Sequence, residues 1–573
     1  MKLELTDSRR LTGPNLFWDM PCAVIDVAID GPPERVVQVW ESAAGDWLDA
    51  VGHSDQRTCH RLFEGGASLL ISAPIDALYA MCELNEVAWT STLHTFDLGP
   101  APDRGEEVPR LTRLFDEERN PRLLALQQAA AKQGLPFLWD DDEVSVGYGG
   151  AAQVWDSQAL PRVEDVDWSR LGSIPVALVT GTNGKSTTVR MTAAIMNAAG
   201  YRAGLTSTDF IRVAERVIDR GDYSGPGGAR TLLRQPDVNM AVLEVARGGL
   251  LRRGLGVTRA NVAVVTNVAE DHLGEYGIHS VDELIAVKFI VRRALTAEDT
   301  LILNADDAGV VAFGEKLDNR VCWFSLAADH PKVRQARSAG GAVCFLENDW
   351  LIAAEGPRHR RITPVSDIPA SRAGAVRYNL ANALAAMSVA VVLGIQDEAI
   401  RAGLAAFRGD ERDNPGRGNW FEHRMEDGSV RILVDFAHNE HGMRALADAV
   451  RRVPAERVVV LLGQAGDRTD QEISGLVRAA CDMRPERLLI AELPGYERGR
   501  QPFEVPRLIR QDALAFGLDA ARIETFPDPQ AATRNALEQA RPGDLLVLLA
   551  LTQRKEALAL VHAFIGDSGA KGG

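Results

Sequence analysis

The chain has 573 residues, too many for one hydrophobic core, so roughly two to four domains are expected. It is 46% hydrophobic and 25% charged, as globular proteins are, and 63 Lys+Arg against 79 Asp+Glu give a net charge of −16, which argues against a duplex nucleic-acid binder but leaves room for basic pockets that receive anionic substrates. The six cysteines form no CxxC pair, the start MKLELTDSRR has no apolar signal-like stretch, and the longest apolar runs, such as LLVLLAL at 545–551, are strand-length. These features argue against a zinc site, a disulfide framework and a membrane span, so a cytoplasmic protein with neither a membrane nor a nucleic-acid partner is expected.

The first 165 residues show no clear α/β alternation. The runs CAVIDVAI and SLLISA read as short strands, and RLLALQQAAAKQG as one helix ending at glycine. An α+β domain is expected over 1–165, closed by the acidic, proline-containing linker WDSQALPRVEDVDWSRLGSIP. From 175 the texture changes. PVALVTG, NMAVLEVA, NVAVVTNV and DTLILNADD are apolar runs with polar ends, the signature of a parallel sheet buried on both faces. Ligands of such sheets bind outside the carboxyl ends of the strands, so all four polar ends should face one rim. A central α/β domain is expected over 166–410. After a stretch near 408–420 rich in Gly, Pro and charge, a second α/β series begins, with RILVDFAHN, RVVVLLGQ, RLLIAEL and DLLVLLALT as strands. A C-terminal Rossmann-like α/β domain is expected over 411–573, with the tail GDSGAKGG frayed.

The segment VTGTNGKSTTVRM, residues 179–191, joins a strand to a helix through a glycine-rich turn. A helix N-terminus offers unpaired N–H groups and the positive end of a dipole, which suits phosphate. Gly181 and Gly184 let the backbone approach closely, Lys185 would contact the outer phosphates, and Ser186 would offer a hydroxyl to Mg²⁺. The spacing departs from the usual phosphate loop, because Val179 stands where its first glycine would be.

GTNGKS without that first glycine resembles the Mur ligase family, which joins amino acids to carboxylates with ATP and includes folylpolyglutamate synthase. The resemblance implies that Gly181, Thr182, Asn183, Gly184, Lys185, Ser186 and Thr187 cradle ATP. It implies that Glu244, at the end of NMAVLEVA, holds Mg²⁺ with Ser186. In TNVAEDHLGEYG, which carries Asn267 and Asp271, it makes His272 a second metal contact, an uncommon ligand for so hard a cation. Lys288 in ELIAVKFIVRRA matches a lysine that several Mur ligases carry as a carbamate, which requires a neutral amine and hence a lowered pKa. RYNLANALAAM matches the family's asparagine helix, with Asn379 holding the adenine end and Asn382 as the second asparagine, but Tyr378 replaces the family's histidine. NPGRGNWFE resembles the hinge motif whose arginine, Arg417, reaches the ATP phosphates. VDFAHNEHG brings Asp435 and His438 to the nucleotide, with Glu440 where the motif has proline. GQAGDRTD resembles a further family turn and points to Asp467 and Arg468 without a firm role. His438 and His441 are not expected to form a metal site, since no third ligand has suitable spacing.

Longer stretches, from TSTDFIRVAERV through EVARGGLLRRGLG and in TNVAEDHLGEYGIHSVDELIAVK, are similar to the Mur-like half of the cyanophycin synthetases, and LTGPNLFW resembles their opening. Those enzymes also contain an ATP-grasp domain, and VSVGYGGAAQVWDS at 144–157 looks like the seam where it would begin. Here the chain instead proceeds to GTNGKS at 181–186, so a single ligation is expected. The resemblance implies an ADP-forming acid–amino-acid ligase with catalytic groups Lys185, Lys288 and His272, using ATP and Mg²⁺. Its partners would be a small-molecule amino acid and a carboxylate acceptor, a peptide or amino-acid derivative. Arginine onto an aspartyl carboxylate is one pairing. A Mur or folylpolyglutamate type of ligation on another acceptor is a second reading, and a non-catalytic ATP-binding partner of a biosynthetic enzyme is a third. A homo-oligomer or a partner enzyme is compatible with each. Charge matching suggests Glu492, Glu497 and Glu504 for a basic amino acid and Arg247, Arg252 and Arg253 for an acidic acceptor.

Overall fold

The computed structural model describes residues 2–566, so residues 567–573 of the tail expected to fray lie outside the described residues. Near the N-terminus a four-stranded antiparallel sheet runs in the order Leu3–Leu11, Cys22–Ile29, Gly66–Ser72, Thr58–Phe63. Helices Pro33–Ala50 and Leu78–Thr95 share its core with Ile25, Val27 and Leu69, and Trp40 Nε1 donates to Asn85 Oδ1 at 2.9 Å between them. Helices Arg104–Glu118 and Pro121–Lys132 and a three-stranded antiparallel sheet, residues 137–156, complete this α+β region.

The sequence suggests one helix here, and the structure has four. Leu78–Thr95 carries polar Asn85 and Thr92 on its wide buried face, which blurs its apolar period, and Pro33–Ala50 carries Gly45 and β-branched residues that lower helix propensity. Arg104–Glu118 contains Pro109. The helix read from RLLALQQAAAKQG is present as Pro121–Lys132, with Gly134 in the left-handed region at φ +67°.

Of residues 155–175, read as a linker, the first two end strand Gln153–Asp156 and the rest contain only two single-turn 3-10 helices. An eleven-stranded sheet follows. The four apolar runs are neighbours in it, in the order Met240–Glu244, Val176–Thr180, Val262–Val265, Thr300–Asn304, and all are parallel. Val176 and Leu178 enter one core and Ala177 and Val179 the other, so the run is apolar throughout because both sheet faces are covered. Val179 lies level with Glu244 on one side and Val264 on the other. It is therefore a core strand residue, not part of the phosphate turn. Antiparallel strands finish both edges, Arg216–Arg220 at one and Arg358–Pro364 at the other.

A six-stranded sheet completes the fold in the order Asn419–Met425, Gly428–Asp435, Asp544–Leu549, Arg457–Leu462, Arg487–Ala491, Ile523–Phe526. It is parallel except for its first strand. All four strands read from this part of the sequence are present. No helix among the described residues is long and apolar enough to cross a membrane.

Leu178 has no exposed surface. Leu178→Ala should lower unfolding free energy by about 2–5 kcal/mol in urea titrations; a near-neutral result would contradict the two-sided burial of this strand.

Candidate nucleotide and metal site

The phosphate loop is built by close approach. Gly181 has φ +145° and Gly184 φ +84°, and a Cβ would strike Thr266 Oγ1 at the first and Asn382 Oδ1 at the second. These are the two positions that require glycine. The loop is held from the next strand: Thr182 N donates to Asn267 O at 2.8 Å, Asn183 N to Asn267 Oδ1 at 2.9 Å, and Thr266 Oγ1 to Asn183 O at 2.7 Å. The N–H groups of Thr182 and Asn183 are thus spent on shaping the loop. Gly184, Lys185 and Ser186, where helix Lys185–Ala198 begins, make no backbone N–H bond among the described residues, and these donors are the ones left for an anion.

Lys185 Nζ donates to Gly181 O at 3.0 Å and Thr182 O at 2.9 Å. Burial lowers its pKa, while Glu244 and Asp271 act against the shift. Glu244, at its strand end, is 2% exposed; Oε2 accepts from Thr208 N at 3.3 Å and Oε1 has no partner. Thr208 Oγ1 lies 3.3 Å from Ser186 Oγ and accepts from Arg417 Nη2 at 3.1 Å. A buried carboxylate oxygen left unpaired beside two hydroxyls fits a hard divalent cation that takes its remaining ligands from phosphate and water. Sequence reasoning missed Thr208. It lies just past the four-residue strand Ala203–Thr206, the other parallel neighbour of Met240–Glu244, and that strand is too short to read as a separate apolar run.

His272 is met from the C-terminal region. Its φ is +52°, and its Nε2 lies 3.0 Å from Arg468 Nη2 and 3.9 Å from Asp271. Among the described residues no group of three or more His, Cys, Asp or Glu could hold a metal, so a cation at Glu244 would draw further ligands from hydroxyls, phosphate and water. Burial lowers the His272 pKa. Arg468, left without a role by the sequence, is a buried bridge from the C-terminal sheet region to Asp271, at 3.3 Å. Lys288 ends helix Val281–Lys288, is 3% exposed and makes no hydrogen bond or ion pair among the described residues. Burial, reinforced by the positive charges of Lys185 and Arg247, holds its pKa well below the ordinary lysine value, as a carbamate-forming amine requires.

A cavity of about 640 Å³ adjoins the loop and is lined by Asn183, Asn379, Arg417, Asp435, His438 and His441 among others. Thr187, offered by the sequence as a nucleotide contact, also lines it, with its hydroxyl accepting from Asn414 Nδ2 at 3.0 Å. Asn379 Nδ2 donates to Ala370 O at 2.9 Å, and its Oδ1 accepts from Asn382 Nδ2 at 3.3 Å. Tyr378 is enclosed with an unpaired hydroxyl. Burial pushes Asp435 up to about 6 and His438 down to about 4. Asn183 Nδ2 reaches Asn439 Oδ1 at 3.1 Å and His441 Nδ1 at 3.0 Å, so the two α/β sheet regions meet across the cavity.

The acids suggested for a basic substrate are held within their own segment. Glu492 is buried and accepts from Leu493 N and Phe503 N, Glu504 pairs with Arg500 at 3.0 Å, and Glu497 accepts from Gly495 N at 3.2 Å. Of the arginines suggested for an acceptor, Arg252 and Arg253 are exposed. The Arg247 side chain is 10% exposed and pairs with Glu275, and its Nη1 has no partner.

Two family models match this chain: the Mur ligase middle domain over residues 179–390 and the Mur ligase glutamate ligase domain over 416–550. The chain belongs to the Mur ligase family. Cyanophycin synthetase of Trichormus variabilis is 33% identical to it over 512 residues, 86% of this chain and 55% of the relative. That of Synechocystis sp. is 35% identical over 428 residues, 74% of this chain and 48% of the relative. The chain thus spans about half the length of the curated relatives it matches. A UDP-N-acetylmuramoyl-L-alanyl-D-glutamate–2,6-diaminopimelate ligase of Geobacter metallireducens is 28% identical over 395 residues, 65% of this chain and 73% of the relative. In fold, the chain resembles E. coli FolC solved with DHPP and ADP, with a TM-score of 0.50 and 19% identity over 68% of this chain and 89% of that one.

Two outcomes test the geometry. Glu244→Gln should weaken the divalent-cation dependence of ATP binding by tenfold or more, read by calorimetry at several metal concentrations, because it removes the carboxylate that carries the orphaned oxygen. Asp435 has a folded pKa near 6, above its unfolded value, so its contribution to stability is full below the unfolded pKa and lost as pH rises through about 6. Asp435→Asn should therefore gain stability relative to the parent between pH 4 and about 6, measured as the difference of urea midpoints.

Proposed function

We propose that this protein is an ATP-dependent amide ligase of the Mur type, organised as units 1–165, 166–410 and 411–573. The observation that carries the reading is the unpaired Glu244 carboxylate oxygen beside the free N-terminus of helix Lys185–Ala198. Such a pair suits a metal–triphosphate better than either group alone. ATP with a divalent cation would supply the phosphoryl group that turns an acceptor carboxylate into an acyl phosphate. An amine then attacks the acyl carbon, and phosphate and a proton leave.

The residues divide the work. The N–H groups from Gly184 to Ser186, with Lys185, offset the repulsion between two anions brought together. Ser186, Thr208 and Glu244 would hold the metal. Arg417, above the Phe436 ring at 4.9 Å, reaches toward the phosphates from the hinge. Asn379, Asp435 and His438 would line the nucleotide's remaining length. Lys288, whose burial favours the neutral amine, would bond carbon dioxide at Nζ and release a proton to solvent, leaving a carbamate anion near Lys185 and Arg247 that turns the local repulsion into attraction. Positioning and charge stabilisation, rather than proton chemistry on one side chain, carry the rate.

The acceptor and amine classes follow from the relatives and the local charge. The buried, half-paired Arg247 supports an acidic acceptor such as an aspartyl carboxylate, and similarity to cyanophycin synthetases supports arginine as the amine. The engaged state of Glu492, Glu497 and Glu504 gives no support to those acids as the arginine pocket. The direct run from strand Gln153–Asp156 through residues 157–175 to strand Val176–Thr180 supports a single ligation.

Phosphate release should be measured with ATP and Mg²⁺ across a panel of amines, with aspartyl peptides as acceptor. Arginine-dependent release and a product heavier by one arginine residue are expected, and Lys185→Ala should abolish both. Full activity in Lys185→Ala would remove the site assignment, and release with a different amine would keep the ligase and change its substrate. Lys288→Ala should lose nearly all turnover and recover part of it with short-chain carboxylates; normal turnover in that variant would remove the carbamate.

A further inference from the structure

Asp209, next to Thr208, gathers three guanidinium groups from three separate elements. Its side chain is 10% exposed. Arg190, from the helix behind the phosphate loop, is fully buried and lies 2.5 Å from Oδ2. Arg417 Nε stands 3.9 Å from the same oxygen. Arg554, the first residue of the last helix, Arg554–Gly566, donates from Nη2 to Oδ1 at 2.7 Å.

Two features make the Arg554 contact specific. A cation in the first turn of a helix faces the positive end of the helix dipole, so a carboxylate must offset it. Its side chain also runs across Gly416, the glycine before Arg417, whose φ is +67° and where any Cβ would strike Arg554 Cδ. Arg417 and Arg554 lie 4.9 Å and 5.9 Å from the ring of Phe436, so one aromatic ring contacts both.

We propose that Asp209 and Arg554 form a latch that holds the C-terminal α/β unit closed against the phosphate loop and presets Arg417. Both are positioning residues. The division of the carboxylate makes this workable. Oδ2 serves Arg190 and the nearby Arg417, whereas Oδ1 serves Arg554. A shift of Arg417 toward phosphate therefore leaves the Arg554 bond intact, and closure does not depend on which anion Arg417 faces. Only the effect on ATP affinity rests on the ligase reading; the closure does not.

Asp209→Asn would strand the buried Arg190 and could prevent folding, so Arg554, whose side chain is 28% exposed, carries the test. Small-angle scattering on the full, nucleotide-free chain should give a larger radius of gyration for Arg554→Ala than for the parent, at an unchanged urea midpoint. A fluorescent ATP analogue should bind about tenfold more weakly, the scale of one lost charge-assisted bond. Arg554→Lys should recover part of both. Parental size and parental affinity in Arg554→Ala would overturn the latch. A parent that is compact and opens in Arg554→Ala, yet binds no ATP analogue, would support the latch and remove the ligase reading instead.

Discussion

Parallel pairing of strand Val176–Thr180 between Met240–Glu244 and Val262–Val265 is the constraint on which everything else rests. The register sets Val179 level with Glu244 and Val264, so the three strands end at one height. The chain after each must turn at the same rim. Out of that come the glycine-rich turn, the buried Glu244 carboxylate and the Thr266–Asn267 pair that grips the turn. Both faces of the sheet are filled, so none of these ends can retreat inward without emptying a core.

The rim is then a place where charges are arranged before any substrate arrives. Lys185, Lys288 and His272 all have depressed pKa values because the surroundings exclude water. Exclusion raises the cost of each uncompensated charge and the return on each compensated one. The free N–H donors at the start of helix Lys185–Ala198 favour an anionic ligand at this rim. The bonds from Asn183 to Asn439 and His441, and from Arg468 to Asp271, bring the C-terminal region over the rim and keep it dry.

Legibility in the sequence follows burial. Strands covered on both faces appear as unbroken apolar runs, so the four central parallel strands and the four parallel strands read in the C-terminal sheet were legible, whereas the short and antiparallel strands towards the sheet edges, such as Arg216–Arg220 and Arg358–Pro364, were not. Gly181 and Gly184 were legible because only glycine permits those backbone angles at such close approach. Among the N-terminal helices, Leu78–Thr95 was hidden because polar Asn85 and Thr92 on its wide buried face blur its apolar period. Thr208 and Asp209 were hidden behind a four-residue strand. Partners such as Arg190 and Arg554 depend on distant chain segments meeting, which no local pattern records. The same holds at His272, whose motif is plain but whose contact with Arg468 joins two distant segments that the motif does not record.

The edge strand Arg358–Pro364 has a further consequence. An eleven-stranded sheet presents unpaired backbone groups at its margins, a template onto which another chain can add. Here the margin reads RHRRITP, with its first four residues exposed and a proline at its end. A second copy docking edge to edge would set arginine against arginine and meet a residue with no N–H to offer. This margin therefore opposes growth of the sheet from the Arg358–Pro364 side.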